Sequence, residues 1–123
     1  MYSDAKEVVE EVVGKTIVDV DFNEDGLFLL FEYGIKVHIY DNGQSCCEHR
    51  YIVCDDDVSS LIGQKFKGIE EKECSDISQE DDYDVHDIMF VEVQTFSNSI
   101  ALVTHNEHNG YYGGFILDVK YVK

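Results

Sequence analysis

The stretch that decides the fold runs Ile17-Val18-Asp19-Val20-Asp21-Phe22, Asn23-Glu24-Asp25-Gly26, Leu27-Phe28-Leu29-Leu30-Phe31-Glu32, Tyr33-Gly34, Ile35-Lys36-Val37-His38-Ile39-Tyr40. Its last segment alternates cleanly, because successive strand side chains point to opposite faces: Ile35, Val37 and Ile39 on one, Lys36, His38 and Tyr40 on the other. The segment from Lys15 to Phe22 alternates more loosely through Ile17, Val18, Val20 and Phe22, and Leu27–Glu32 follows as a second strand. Asn23-Glu24-Asp25-Gly26 offers a glycine for the positive φ of a hairpin, and Tyr33-Gly34 is a second tight turn. Three strands on two short turns read as an antiparallel meander.

Upstream, Val8, Val9, Val12 and Val13 form the apolar stripe of a helix, with Asp4 as N-cap, Glu7 completing a capping box and Gly14 as the residue that ends it. Downstream, the polar loop Asp41–Ser45 leads into a strand at Cys47–Val53. Asp55-Asp56-Asp57 reads as a cap before a short helix, Val58–Ile62, closed by Gly63. A strand is expected at Lys65–Glu73. Glu70–Asp87 carries nine acids and one lysine and reads as a long exposed loop. Ile88–Phe96, Ser99–His105 and Tyr112–Tyr121 complete the strands, joined through Ser97-Asn98 and the loop Asn106–Gly110. The expected fold is α+β, a single domain over residues 1–123: an antiparallel sheet of six or seven strands, an N-terminal helix and one short internal helix.

Charge narrows the partners. Nine basic against 26 acidic residues give −17, and Arg50 is the sole arginine, so a surface that neutralises nucleic-acid phosphates is missing. The same field attracts basic proteins and repels anionic lipid, and no apolar run reaches the ~20 residues of a membrane span. Met1–Lys15 has an acidic helical pattern in place of a signal peptide, which places the protein in the cytoplasm with Cys46, Cys47, Cys54 and Cys74 as free thiols. Pairing of sheet edges in a homo-oligomer is left open.

Few residues carry recognisable chemistry. Cys46-Cys47-Glu48-His49 followed by Cys54 holds zinc-type ligands, yet strand alternation sends neighbours to opposite faces and no C-x₂-C pair is present, so small buried cysteines are the favoured reading. A nucleophilic cysteine needs an electropositive setting, and this one is electronegative. His105-Asn106-Glu107-His108 lacks the spacing of H-E-x-x-H and falls in an expected turn. Asp55–Asp57 lacks the ligand pattern of a calcium loop. No catalytic residue, metal or cofactor is assigned, and the chain reads as a binding protein rather than an enzyme. In Asn109-Gly110-Tyr111-Tyr112-Gly113-Gly114, two tyrosines between glycines offer stacking faces beside a turn, or the alternating residues of a plain hairpin.

Gly14-Lys15-Thr16-Ile17, Gln44-Ser45-Cys46-Cys47-Glu48 and Asn109-Gly110-Tyr111-Tyr112, with Leu61-Ile62-Gly63 between them, together resemble a family of small uncharacterised proteins encoded largely by phages and prophages. The resemblance spans about residues 14–119 and implies a phage context inside a host cell. Two functions fit. One is a host-defence inhibitor that sequesters a small nucleotide-derived signalling molecule between the Cys-Cys-Glu strand and the Asn-Gly-Tyr-Tyr turn. There Cys46, Cys47, Glu48, Arg50, Asn109, Gly110, Tyr111 and Tyr112 are the ligand-binding candidates. The alternative is an acidic mimic of nucleic acid that occupies a basic host defence protein.

Overall fold

The Glu24-Asp25 turn forms where the sequence requires it, and the reason for its glycine is steric. Gly26 adopts φ 120°, and a Cβ there would lie 2.3 Å from the carbonyl oxygen of Ile39, so no side chain fits. The next turn is of the primed hairpin type, with Tyr33 at φ 68° and Gly34 at φ 77°. Left-handed backbone costs a tyrosine about 1–2 kcal/mol, and its ring, 88% exposed, recovers none of that by packing.

The computed structural model describes residues 3–41, 48–73, 85–108 and 117–122. In chain order these form helix α1 (Ser3–Val12) and strands β1 (Ile17–Asn23), β2 (Gly26–Phe31), β3 (Lys36–Asp41), β4 (Glu48–Val53), β5 (Phe66–Glu73), β6 (Val85–Thr95), β7 (Ser99–His108) and β8 (Leu117–Tyr121). A single 3-10 turn occupies Val58–Leu61.

The strands make two four-stranded antiparallel sheets, β1-β2-β3-β8 and β4-β7-β6-β5, not one sheet of six or seven. Local alternation shows where strands are but not which ones pair, and here β8 returns from the end of the chain to β3 while β7 inserts between β4 and β6. One core lies between the sheets. Leu27, Leu29, Phe31, Val37 and Ile39 enter it from the first sheet, Phe66, Val91, Val93 and Leu102 from the second, and Ala5, Val9 and Val12 from α1. Phe31 and Phe66 meet edge to face across it, with ring centroids 5.6 Å apart.

The sheets are joined at one corner. Gly14, left-handed at φ 83° and ending α1 as expected, donates to Phe66, and Phe66 donates to Lys15. Ile17 donates to Gln64 and receives from Gly63, all at 2.7–3.0 Å.

Other expectations need correction. Asp4 lies inside the first turn of α1, because the helix already begins at Ser3. Glu70–Glu73 and Val85–Asp87 belong to β5 and β6, not to a loop, and residues 74–84 lie outside the described residues. The β5 part of the acidic run is held as strand by side-chain bonds to β6, whose Glu92 and Gln94 are also joined to each other. Lys72 Nζ donates to Glu92 at 2.8 Å, and Gln94 Nε2 donates to Glu92 at 2.8 Å and to Glu70 at 3.1 Å. Ser99–His108 is one strand, so His105 and the backbone of His108 are not in a turn, and half-buried His105 stacks on Tyr51 at 4.5 Å.

The aspartate run does cap. Asp57 accepts the Ser59 amide at 3.0 Å, and Asp56 accepts the Ala101 amide at 2.8 Å, satisfying β7 where β4 has ended. Among the described residues no helix is long and apolar enough to cross a membrane.

Candidate functional site

The outer face of the first sheet carries a cluster of polar and aromatic groups. Cross-strand register places Asp21, Phe28, His38 and Lys120 in one row over all four strands, Asp19, Leu30 and Lys36 in the row beside it, and Tyr40 opposite Asp118 in a third. The inner face of the same strands supplies the core, so period-2 alternation alone sends these residues outward.

Three rings form a ladder. Phe28 and His38 stack at 4.1 Å with 4° between planes, and His38 and Tyr40 at 4.2 Å with 16°. Lys36 Nζ lies 5.1 Å from the Phe28 centroid, within cation–π range. His38 Nε2 is 2.7 Å from the Asp25 carbonyl oxygen, and since a carbonyl only accepts, Nε2 carries the proton. That nitrogen is therefore spent on the β1–β2 turn.

Each end of the face carries aspartate. At the β8 end Asp118 is 3% exposed; it takes the Val119 amide at 2.9 Å, the Tyr40 hydroxyl at 3.3 Å and the Lys120 ammonium at 3.5 Å. At the β1 end a shallow pocket of about 80 Å³ is lined by Asp19, Val20, Asp21, Phe28, Leu30 and Lys36. Two exposed carboxylates stand over a floor of phenyl ring and leucine. Among the described residues neither Asp19 nor Asp21 is in an ion pair. Such a pocket can hold a cationic group by charge at its rim and by the face of Phe28 below.

Elsewhere the chemistry is quieter. Burial pushes the Cys54 thiol up from its ordinary value, and the neighbouring Asp56 and Asp55 carboxylates push the same way. The thiol donates weakly to the carbonyls of Asp56 and Ala101, both at 3.5 Å, and stays protonated at neutral pH. Among the described residues no three His, Cys, Asp or Glu side chains are grouped to hold a metal ion.

Of the sequence-named binding residues, Glu48 and Arg50 have their backbones in β4, paired with His108 and Asn106. Cys46, Cys47, Asn109, Gly110, Tyr111 and Tyr112 lie outside the described residues. The Asp19, Asp21, Phe28 and Lys36 pocket was not anticipated. Its signal was the two-residue turn. Counting back from the Asn23–Gly26 closing pair gives Asp21 opposite Phe28 and Asp19 opposite Leu30.

No curated protein and no solved structure matches the chain. A family model described as a domain of unknown function, DUF7448, matches residues 10–117, from the end of α1 to the first residue of β8, and the chain belongs to that family.

Proposed function

We propose that the protein is a non-catalytic binding protein whose target presents basic side chains, the second of the two classes that the sequence suggests. The observation that carries this reading is the pocket of about 80 Å³ between Asp19, Asp21 and the Phe28 ring. About 10–15 Å³ of such space admits one water, so the pocket holds a few waters or the end of a lysine or arginine. It is far below the ~300–1,000 Å³ of sites that enclose a small molecule. Lys36 over Phe28 marks the ring as a seat for an ammonium, and a net charge of −17 gathers basic partners from a distance. In its fuller form the proposal sets the protein in a phage context in the host cytoplasm. The target is then a defence protein whose nucleic-acid surface meets carboxylates where phosphates would stand.

The test is an amide-resolved NMR titration with short lysine- and arginine-containing peptides at low and high salt. Shifts confined to Asp19–Phe22, Phe28–Leu30 and Lys36–His38, and lost in the Asp19→Asn/Asp21→Asn double variant, support the pocket. Shifts spread evenly over every acidic segment, or none at all, sink it. Lys36→Gln removes the resident competitor and should tighten peptide binding by about threefold.

A second reading has one observation in its favour. Glu48 pairs with His108, so the strand that follows Cys46-Cys47 begins beside the strand that leads into Asn109-Gly110-Tyr111-Tyr112. Sequestration of a nucleotide-derived molecule at that end of the second sheet is tested by thermal unfolding with a panel of nucleotides. A ligand at 100 times its Kd adds about 2.7 kcal/mol, and a rise in Tm with one nucleotide alone selects this reading over the first.

A further inference from the structure

Strand β1 ends its sheet; the 58–61 turn packs near it, and among the described residues no strand pairs with its free side beyond the corner. Pairing on that side stops at Ile17, whose amide donates to Gln64 at 2.9 Å and whose carbonyl accepts from Gly63 at 2.7 Å. In a two-residue hairpin the closing pair exchanges hydrogen bonds and every second pair does the same. Asn23–Gly26, Asp21–Phe28 and Asp19–Leu30 are those pairs, so the backbone groups of Val20 and Phe22 point away from β2. One independent contact agrees with this. The Val20 amide is not directed at β2 but is held at 2.9 Å by the Asp19 carboxylate, in an exposed position.

We propose that this edge is a strand-docking site, at which an extended segment of a partner protein adds to β1 as a fifth strand. The partner's basic side chains would stand beside Asp19 and Asp21, and its apolar ones beside Val20 and Phe22. The proposal rests on the basic-partner reading above and supplies its geometry. Side chains of a strand repeat on one face every second residue, which sets the motif as basic–apolar–basic. Directly opposed residues lie ~5 Å apart, close enough for a lysine or arginine to pair with each aspartate. On docking, the Val20 amide exchanges the Asp19 carboxylate for a peptide carbonyl, and Asp19 is released to the incoming cation. The count of satisfied groups is preserved while an ion pair is gained.

Charge also selects the occupant. A second copy of this chain, pairing β1 against β1, would set the Asp19 and Asp21 carboxylates of one molecule against those of the other, and like charges opposed across strands repel. With 26 acidic residues against nine basic, little elsewhere on the chain relieves that repulsion. A basic extended segment meets no such penalty.

The experiment uses the full chain and two synthetic peptides of alternating arginine and valine, one unmodified and one N-methylated at every second amide. N-methylation keeps charge and side chains but removes the donors that face β1. The expected result is that the unmodified peptide binds and slows hydrogen exchange at the Val20 and Phe22 amides, while the methylated peptide binds at least about tenfold more weakly. Equal binding of both peptides, with shifts still centred on Asp19 and Asp21, overturns strand addition and leaves the basic-partner reading standing. Binding of neither overturns both. Concentration-dependent dimerisation of the protein alone, abolished by Val20→Pro, overturns the choice of a basic partner in favour of a second copy.

Discussion

The first sheet carries the same dipeptide at both of its ends. In Asp19-Val20 on β1 and in Asp118-Val119 on β8, an aspartate side chain turns back to the amide of the following valine at 2.9 Å. The local chemistry is the same, and the settings are opposite. The β1 contact is exposed, and its carboxylate has no further partner among the described residues. The β8 contact is buried, with the Tyr40 hydroxyl and the Lys120 ammonium on the same carboxylate. A hydrogen bond in solvent competes with water and contributes little, whereas a buried carboxylate left without its partners is costly. One motif therefore locks the sheet at β8 and leaves it adaptable at β1.

Amide hydrogen exchange should separate the two ends most sharply. Both amides belong to Asp-Val dipeptides and so have similar intrinsic rates, and Val119 should exchange at least about a thousandfold more slowly than Val20. Comparable rates would erase the contrast. Asp118→Ala should lower stability by about 2–3 kcal/mol in urea unfolding, because it strands the Val119 amide and the Tyr40 hydroxyl together. Asp19→Ala should leave the urea midpoint unmoved. Tyr40→Phe, which removes one partner of Asp118, should cost about 1 kcal/mol, and no loss at all would mean that the hydroxyl is satisfied by water equally well.

The smallest effect is set by pH. Tyr121 on β8 donates to Glu11 of α1, and burial, with that bond and the Glu11 charge, pushes its pKa up to about 12. A pKa raised above the unfolded value of about 10 contributes stability that is complete below pH ~10 and lost as pH rises towards 12. Alkaline titration of the unfolding midpoint should show that loss, and Tyr121→Phe should flatten it while exchange at Val20 stays as it was.

Much of the architecture was legible because it is written locally. Alternation gave the strands to within a few residues, Tyr112–Tyr121 being testable only from Leu117 on, and Gly14, Gly26 and Gly34 marked turns whose left-handed backbone the structure bears out. The division into two sheets was not legible, since the β3–β8 pairing joins residues such as Tyr40 and Asp118 from opposite ends of the chain. The candidate site shows the same limit. Lys36, His38 and Tyr40 were readable as one face of one strand, but the pocket also needs Asp19 and Asp21 from β1 and Phe28 from β2, and only register brings them together. The acidic run misled for a related reason: composition suggested a loop, while Lys72 and Gln94 hold its β5 end as strand and pairing with β7 holds Val85–Asp87.

The corner where Gly14, Ile17, Gly63 and Phe66 exchange backbone bonds behaves as the spine of a book. Among the described residues this is the line where backbone bonds tie the covers, so the sheets cannot slide past each other without breaking those bonds together. Any parting of the two layers has to swing about that line and gape first on the opposite side, where β8 and β4 close the covers. Load applied across the molecule would be borne in shear at the spine and in peeling at the far margin, where α1 packs against β8 and Tyr121 donates to Glu11.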